Sequence, residues 1–266
     1  MTSDPAAGIC LVLGAGGFRG LAHVGVLRGL RQLGISVESV IGVSIGGLVA
    51  SFHAGLGYTP EEMERRLSCL TTGSLFALDW SLHRGRPAVA DGSPAGRLIA
   101  DLQQLSSLSL EQLHFGVRRL GLLALDLFSG EEVFTVTGQA SPFSPAEIAL
   151  GGASIPVLFP WVRRRHAGRT FHLVDGGLSH SVPVERALAP PFSARRVVAV
   201  DLGVMRGFRE RDAARWSRLE RQYPGAIVRL LPQVHGAGTV FFRPAQAAEL
   251  VRAGEAAVLE QARSLC

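Results

Sequence analysis

The chain contains no lysine and no asparagine, so all 27 of its basic side chains are arginine. Such a bias follows codon usage in a GC-rich genome. Abundant arginine is therefore poor evidence for phosphate binding, and no nucleic-acid partner is expected. Cysteine is scarce. Cys10, Cys69 and Cys266 form an odd, unpatterned set. That argues against a disulfide framework or a zinc site and fits free thiols in a reducing compartment. Charged residues make up only 18% of the chain against 47% hydrophobic, with a formal net charge of +5. Disorder is excluded by this balance. The 266 residues suit one α/β domain, 1–266, with a sizeable core. Met1 to Gly8 holds Asp4 and Pro5 and lacks a basic segment leading into an apolar one, so no secretory leader is expected and the location reads as cytoplasmic. The longest uncharged stretch, Val40 to Tyr58, has the length of a membrane span. It also holds several glycines, two serines and His53, and reads instead as a buried strand, a turn and a helix.

The chain opens with Ile9 to Leu13, an apolar run without alternation, the mark of a strand buried on both faces. A glycine-rich loop, Gly14 to Gly20, leads into a helix from Leu21 to Leu33 that Gly34 stops. A β-branched run, Val37 to Val43, then enters Ser44 and a helical segment from Leu48 to Leu56. This strand–helix–strand–helix order is the grammar of a parallel sheet with right-handed crossovers. Thr59-Pro60-Glu61-Glu62 opens a helix to about Leu70, and another spans about Pro94 to Leu105. Gly73 to Gly92 is aperiodic and apolar, suited to core or to a lid. Leu120 to Leu127 and Glu132 to Val136 read as a hairpin around Ser129-Gly130. Ser144-Pro145-Ala146-Glu147 opens a short helix. Phe171 to Val174, Val197 to Val200 and Ile227 to Leu231 read as strands, and Ala245 to Leu265 as a final helix. No repeat or linker is evident.

Gly42-Val43-Ser44-Ile45-Gly46 is a G-x-S-x-G sequence between a strand and a helix. In that context the serine stands on a sharp turn with its hydroxyl presented, and the following helix N-terminus favours negative charge beside it. Gly14-Ala15-Gly16 begins like a dinucleotide fingerprint, but Arg19 occupies the third glycine position. The other use of such a loop is as an oxyanion hole built from backbone N–H groups. The serine needs a base. Two arrangements are open: a triad of Ser44, Asp175 or Asp201, and His235; or a dyad in which Asp175 itself accepts the serine proton. Asp175 ends an apolar strand and is followed by two glycines that permit close approach. An unperturbed carboxylate is a weak base, so a dyad needs burial and the helix dipole to raise its proton affinity.

In order, these segments resemble the patatin-like phospholipase family, most closely its small bacterial members, over about 9–257. Gly14 to Gly20 resembles the family's G-G-G-x-R-G loop, and Leu21-Ala22-His23-Val24-Gly25-Val26-Leu27 its following helix. Gly42 to Gly46 is similar to its nucleophile turn. Ser154-Ile155-Pro156 and Leu158-Phe159-Pro160 are similar to the approach to its acid, and Asp175-Gly176-Gly177 to its D-G-G motif. The resemblance implies a three-layer α/β/α fold with a mostly parallel central sheet. It implies a serine lipid acyl hydrolase with Ser44 as nucleophile, Asp175 as acid/base, Gly16 and Gly17 as oxyanion donors, Arg19 supporting that loop, and no cofactor or metal. The implied substrate is a lipid or other carboxyl ester. A membrane surface is a further expected partner, since Arg163-Arg164-Arg165, Arg169 and the segment Arg206 to Arg221 suit anionic headgroups. The rival readings are a His235-dependent esterase and a lipid-binding protein of the same fold without turnover. Two departures stand out: Ala15 replaces the first loop glycine, and His180-Ser181 replaces an Asn-Pro pair. His180 is close enough in sequence to hydrogen-bond Asp175, although a loop residue without chemistry is expected; His23 reads as helix packing.

Overall fold

The computed structural model describes residues 8–69, 93–107, 112–156, 161–203, 209–234, 238 and 244–265. The segment Gly73 to Gly92, read as core or lid, His235 and Leu158-Phe159-Pro160 lie outside them. In chain order the elements are β1 (Ile9–Leu13), α1 (Leu21–Gln32), β2 (Val37–Val43), α2 (Ile45–Ala50), α3 (Pro60–Leu67), α4 (Pro94–Ser107), β3 (Arg119–Asp126) and β4 (Glu132–Val136). There follow α5 (Pro145–Gly151), β5 (Val162–His166), β6 (Arg169–Asp175), α6 (Val184–Leu188), β7 (Val197–Val200), α7 (Arg209–Gln222), β8 (Ile227–Leu230), α8 (Ala247–Glu260) and α9 (Ala262–Leu265). The sheet runs β5-β6-β3-β2-β1-β7-β8, with β4 also paired to β3.

The apolar run of β1 is fully buried because parallel neighbours flank it on both sides, β2 and β7. Its side chains alternate between two cores. Ile9, Leu11 and Leu13 join Leu27, Leu30, Ile148 and Val251 on one face. Cys10 and Val12 join Val184, Trp216 and Leu219 on the other. The sheet is thus sandwiched between α1, α5 and α8 on one side and α6 and α7 on the other, the expected three layers. β1, β2, β3, β7 and β8 are parallel, as expected, and β4, β5 and β6 add an antiparallel part.

Strand register explains how the ends of two distant strands meet. Gly121, Leu122 and Leu123 of β3 pair with β2 and with β4 at once, so these strands lie on opposite edges of β3. Ala124 and Leu125 pair with β4 and with β6 at once, so β6 lies opposite β4, on the same edge as β2. β2 stops at Val43, opposite Leu123, and β6 arrives from the other direction with Asp175 opposite Ala124. The C-termini of β2 and β6 therefore meet head-on along one edge of β3.

Local chemistry sets the helix boundaries. Thr59 and Ser144 each accept the N–H three residues on and donate their own N–H to the glutamate there, and proline occupies the first helical position of both α3 and α5. α2 begins at Ile45, earlier than expected, and is continued by a π turn over Ser51–Gly55. The final helix is broken between Glu260 and Ala262. α1 and α8 cross with backbones in contact. A Cβ on Gly25 would overlap the Val251 carbonyl, and one on Gly254 would overlap the Ala22 carbonyl. β5 was not expected. Three consecutive arginines hide a strand, and it lies at the outer end of the sheet, where charged residues are tolerated.

Candidate active site

Ser44 occupies the single residue between β2 and α2, with φ 58° and ψ −133°. A non-glycine residue with positive φ is strained by about 1–3 kcal/mol and persists only when its surroundings fix it. Here the surroundings are backbone. A Cβ on Gly42 would lie 2.5 Å from both the Gly46 carbonyl oxygen and the Gly47 Cα, and one on Gly46 would overlap the Leu13 carbonyl. The two glycines of the motif let α2 fold back against the ends of β1 and β2. The turn is closed by the Gly47 N–H donating to the Ser44 carbonyl at 2.9 Å.

The Ser44 hydroxyl donates to Asp175 Oδ2 at 2.6 Å. The other carboxylate oxygen, Oδ1, accepts the Gly177 N–H at 2.7 Å. The Asp175 N–H donates to the Ser154 carbonyl at 2.9 Å, which anchors the end of β6 to the segment after α5. Both catalytic candidates are nearly sealed, Ser44 at 5% exposure and Asp175 at 6%. Burial pushes the Asp175 carboxyl from 3.8 up to about 6, against the opposing pull of the Ser44 hydroxyl and the Gly177 N–H. Gly176 is glycine for want of space, since a Cβ would lie 2.6 Å from the Leu123 carbonyl.

The glycine loop after β1 sits against the acid loop. The Ala15 N–H donates to the Ser181 carbonyl at 2.8 Å, and the Gly14 N–H to Val200 at 3.1 Å. The Ala15 methyl occupies the place a Cβ on Gly177 would need, 2.8 Å away. Ala15 in place of glycine is thus accommodated by Gly177, and its side chain packs with Val43 and Leu123. Gly17 has φ 55°, the left-handed conformation glycine adopts without penalty, and starts a 3-10 turn, Gly17–Gly20, that runs into α1. The N–H groups of Gly16 and Gly17 donate to no backbone carbonyl among the described residues. Such unpaired donors are expected at a helix entrance. A Cβ on Gly20 would overlap the Ile45 side chain, so this loop and the serine turn pack directly.

His23 does more than fill space. It is fully buried and its Nε2 lies 2.8 Å from the Gly14 carbonyl oxygen. Burial lowers its pKa to about 4, so the ring is neutral and Nε2–H donates to that carbonyl at the root of the loop. His180 bonds Glu132 Oε1 at 2.5 Å, not Asp175. Glu132 also accepts from Arg186 at 2.6 Å. The His180 bond, with Arg186 adding to it, holds the Glu132 carboxyl down at about 2. This network ties the acid loop to β4, and nothing in the sequence around Glu132 signalled it. Asp201, the alternative acid, is engaged by the Arg229 guanidinium and by the Gly203 N–H at 2.8 Å. No described histidine hydrogen-bonds to Ser44 or Asp175. Among the described residues no cluster of His, Cys, Asp and Glu could hold a metal ion, and no helix is long and apolar enough to cross a membrane.

The family model for patatin-like phospholipase matches residues 11–188, which include the serine turn, the acid and the glycine loop. The chain belongs to the patatin-like phospholipase family. It is 32% identical over 199 residues to a patatin-like phospholipase domain-containing protein of Caenorhabditis elegans, covering 73% of this chain and 14% of that protein. It is 29% identical over 207 residues to an NTE family protein of Mycobacterium bovis, covering 77% of this chain and 52% of that one. Identity to lysophospholipase NTE1 of Mycosarcoma maydis is also 29%, over 236 residues, 85% of this chain and 12% of the fungal protein. The chain thus spans between about an eighth and about half of the length of these relatives. Its fold is similar to that of VipD from Legionella pneumophila, with a TM-score of 0.56 at 15% identity, covering 97% of this chain and 67% of that one.

Proposed function

We propose that this patatin-like phospholipase is a serine lipid acyl hydrolase that works through a Ser44–Asp175 dyad. The observation that carries the reading is the 2.6 Å hydrogen bond from a strained, buried serine hydroxyl to a carboxylate whose pKa is pushed up to about 6. A base tuned toward neutrality is a better proton acceptor than an ordinary aspartate while remaining ionised at working pH.

Asp175 takes the hydroxyl proton as Ser44 Oγ attacks the ester carbonyl. The carbonyl π electrons move to oxygen, and the Gly16 and Gly17 N–H groups stabilise the resulting oxyanion. One such donor is typically worth ~10²–10³ in rate. Collapse of the tetrahedral intermediate expels the alcohol, which receives the proton from Asp175, and leaves an acyl-serine. Water then enters, Asp175 takes its proton, and a second tetrahedral intermediate releases the carboxylic acid and restores Ser44. Arg19 and the His23–Gly14 bond hold the shape of the loop. The reaction needs no cofactor or metal. The substrate class is a carboxyl ester of a lipid, phospholipid or lysophospholipid, in keeping with the lysophospholipase name of the fungal relative.

The test is labelling by a fluorophosphonate probe alongside hydrolysis of a p-nitrophenyl ester. Ser44→Ala is expected to abolish both, Asp175→Ala to abolish turnover, and His235→Ala to leave both intact. Loss of activity in His235→Ala would transfer the base to a histidine. A folded wild type that neither labels nor turns over would leave a lipid-binding protein without catalysis.

A further inference from the structure

Two hairpins extend past the dyad at the end of the sheet where β2 and β6 meet. The β3–β4 turn carries Phe128, which is 69% exposed, and Trp161, immediately before β5, is 42% exposed. With His172 of β6 they form one ring cluster. Phe128 stands edge-on to His172 at 4.6 Å between centroids, and Trp161 lies 6.1 Å from Phe128 and 5.9 Å from His172. The cluster is rigidly founded. Buried Asp126 accepts the His172 N–H at 2.9 Å, the Ser129 hydroxyl at 2.7 Å and the Arg169 guanidinium at 2.8 Å, which locks one hairpin to the other.

Strand alternation divides the arginines of β5. Val162, Arg164 and His166 share the face toward α5, where Arg164 pairs with Glu147 at 3.5 Å. Arg163 and Arg165 lie on the opposite face, with Trp161 two residues before and with His172 paired across from Arg163. Arg169 is neutralised by Asp126 and Glu131. Arg163 and Arg165 are exposed and have no carboxylate partner among the described residues. One face thus combines two exposed aromatic rings with two uncompensated positive charges. His172 is three residues before Asp175, so the patch stands about 10 Å from the dyad along β6.

We propose that Phe128, Trp161, Arg163 and Arg165 form a docking platform for an anionic lipid bilayer, set at the active-site end of the sheet. Aromatic rings favour the interface between headgroups and acyl chains, and arginine favours anionic headgroups. Two side chains of apolar area are far less than the roughly 800 Å² per partner of a stable protein interface, whereas a bilayer needs only local insertion. The platform rests on the hydrolase reading for its purpose, which is to present lipid to Ser44, but not for its binding.

The experiment uses the full chain carrying Ser44→Ala, so that vesicles stay intact, in sedimentation with vesicles of equimolar phosphatidylglycerol and phosphatidylcholine or of phosphatidylcholine alone. The protein is expected to prefer the anionic vesicles and to lose that preference in high salt. Arg163→Gln with Arg165→Gln should weaken anionic binding by roughly 25-fold, about fivefold for each arginine. Phe128→Ser with Trp161→Ser should weaken binding to both vesicle types, because ring insertion is indifferent to lipid charge. With Ser44 intact, every platform variant should hydrolyse p-nitrophenyl butyrate at the wild-type rate, which also shows that it is folded. Partitioning that is absent in the parent protein, or unmoved by both pairs, overturns the platform. So does binding to a single-stranded oligonucleotide, sensitive to the same substitutions, without binding to vesicles. Docking without ester hydrolysis by the wild type would instead sink the hydrolase reading and leave the platform standing.

Discussion

Replacing Asp175 by Asn should disable the protein and, above neutral pH, make it more stable. In the native state the carboxyl titrates near 6, against 3.8 when unperturbed. The folded chain therefore binds this proton more tightly than the unfolded chain does. Between these values the native state holds more protons, so stability falls as pH rises through the interval and stays reduced above it. At 1.36 kcal/mol for each tenfold change in proton affinity, ionised Asp175 lowers stability by up to about 3 kcal/mol at pH 7 and above. Asparagine has nearly the same shape. Its oxygen can accept the Gly177 N–H, and its amide can donate to Ser44 Oγ. It carries no charge to desolvate. His23 titrates in an overlapping interval with the opposite sign. Its native pKa is lowered to about 4, so its contribution is lost as pH falls from 6.5 toward 4. The informative quantity is therefore the difference between Asp175→Asn and wild type, in which His23 cancels. That difference should be near zero at pH 4 and climb to about 3 kcal/mol by pH 7, roughly 6–10 °C in Tm for a domain of this size. The assay is urea or thermal unfolding of both proteins across that range. A flat difference, or one in which wild type gains on the variant as pH rises, refutes the buried-base argument. Wild-type kcat/KM should rise with pH over the same interval, so that activity appears as stability declines.

Three further outcomes follow from the geometry. Ser44→Gly should abolish fluorophosphonate labelling while raising the urea midpoint, because glycine at φ 58° releases about 1–3 kcal/mol of backbone strain. Gly25→Ala should destabilise by about 3 kcal/mol in the same measurement, since the added methyl meets only α8 backbone, the Val251 carbonyl and the Glu255 nitrogen, neither of which can swing aside as a side chain would. Glu132→Gln should cost about 1 kcal/mol and lower kcat severalfold with KM little changed, as the loop after Asp175 loses its carboxylate tie to β4 through the His180 hydrogen bond and the Arg186 ion pair; an unchanged kcat would show that the loop holds its shape without that tie.

β1 and β7 were legible because each is a short apolar run with no alternation, β2, β3 and β8 because their β-branched or apolar residues outweigh the few polar ones, and Ser44, Asp175 and the glycine loop because their motifs sit at strand ends. The partnership of Ser44 and Asp175 was legible only as one of two options. Proximity arises from β6 running against β2 along β3, and a sequence read in one direction carries no sign of which edge a later strand will take. β5 was hidden by Arg163-Arg164-Arg165, whose outer position permits charge that an inner strand would not. His23 was read as packing because burial at helical spacing looks the same whether or not a ring nitrogen finds a carbonyl. Ala15 appeared as a departure from family pattern, and only contact with Gly177 shows why the methyl is tolerated.

The head-on meeting of β2 and β6 makes β3 a ruler. Ser44 is set by the pairing of Val43 with Leu123, and Asp175 by its pairing with Ala124, adjacent marks on one strand. The separation of Ser44 and Asp175 is thereby set by register on β3 and not by the length of chain between β2 and β3 or between β4 and β6. Within those connections, Gly46 and Gly47 hold the Ser44 turn and the Ser154 carbonyl holds the Asp175 N–H, so the 2.6 Å contact rests on β3 and on these few backbone neighbours. A fold indexed in this way keeps a serine and a carboxylate from distant stretches of chain in step against a single strand.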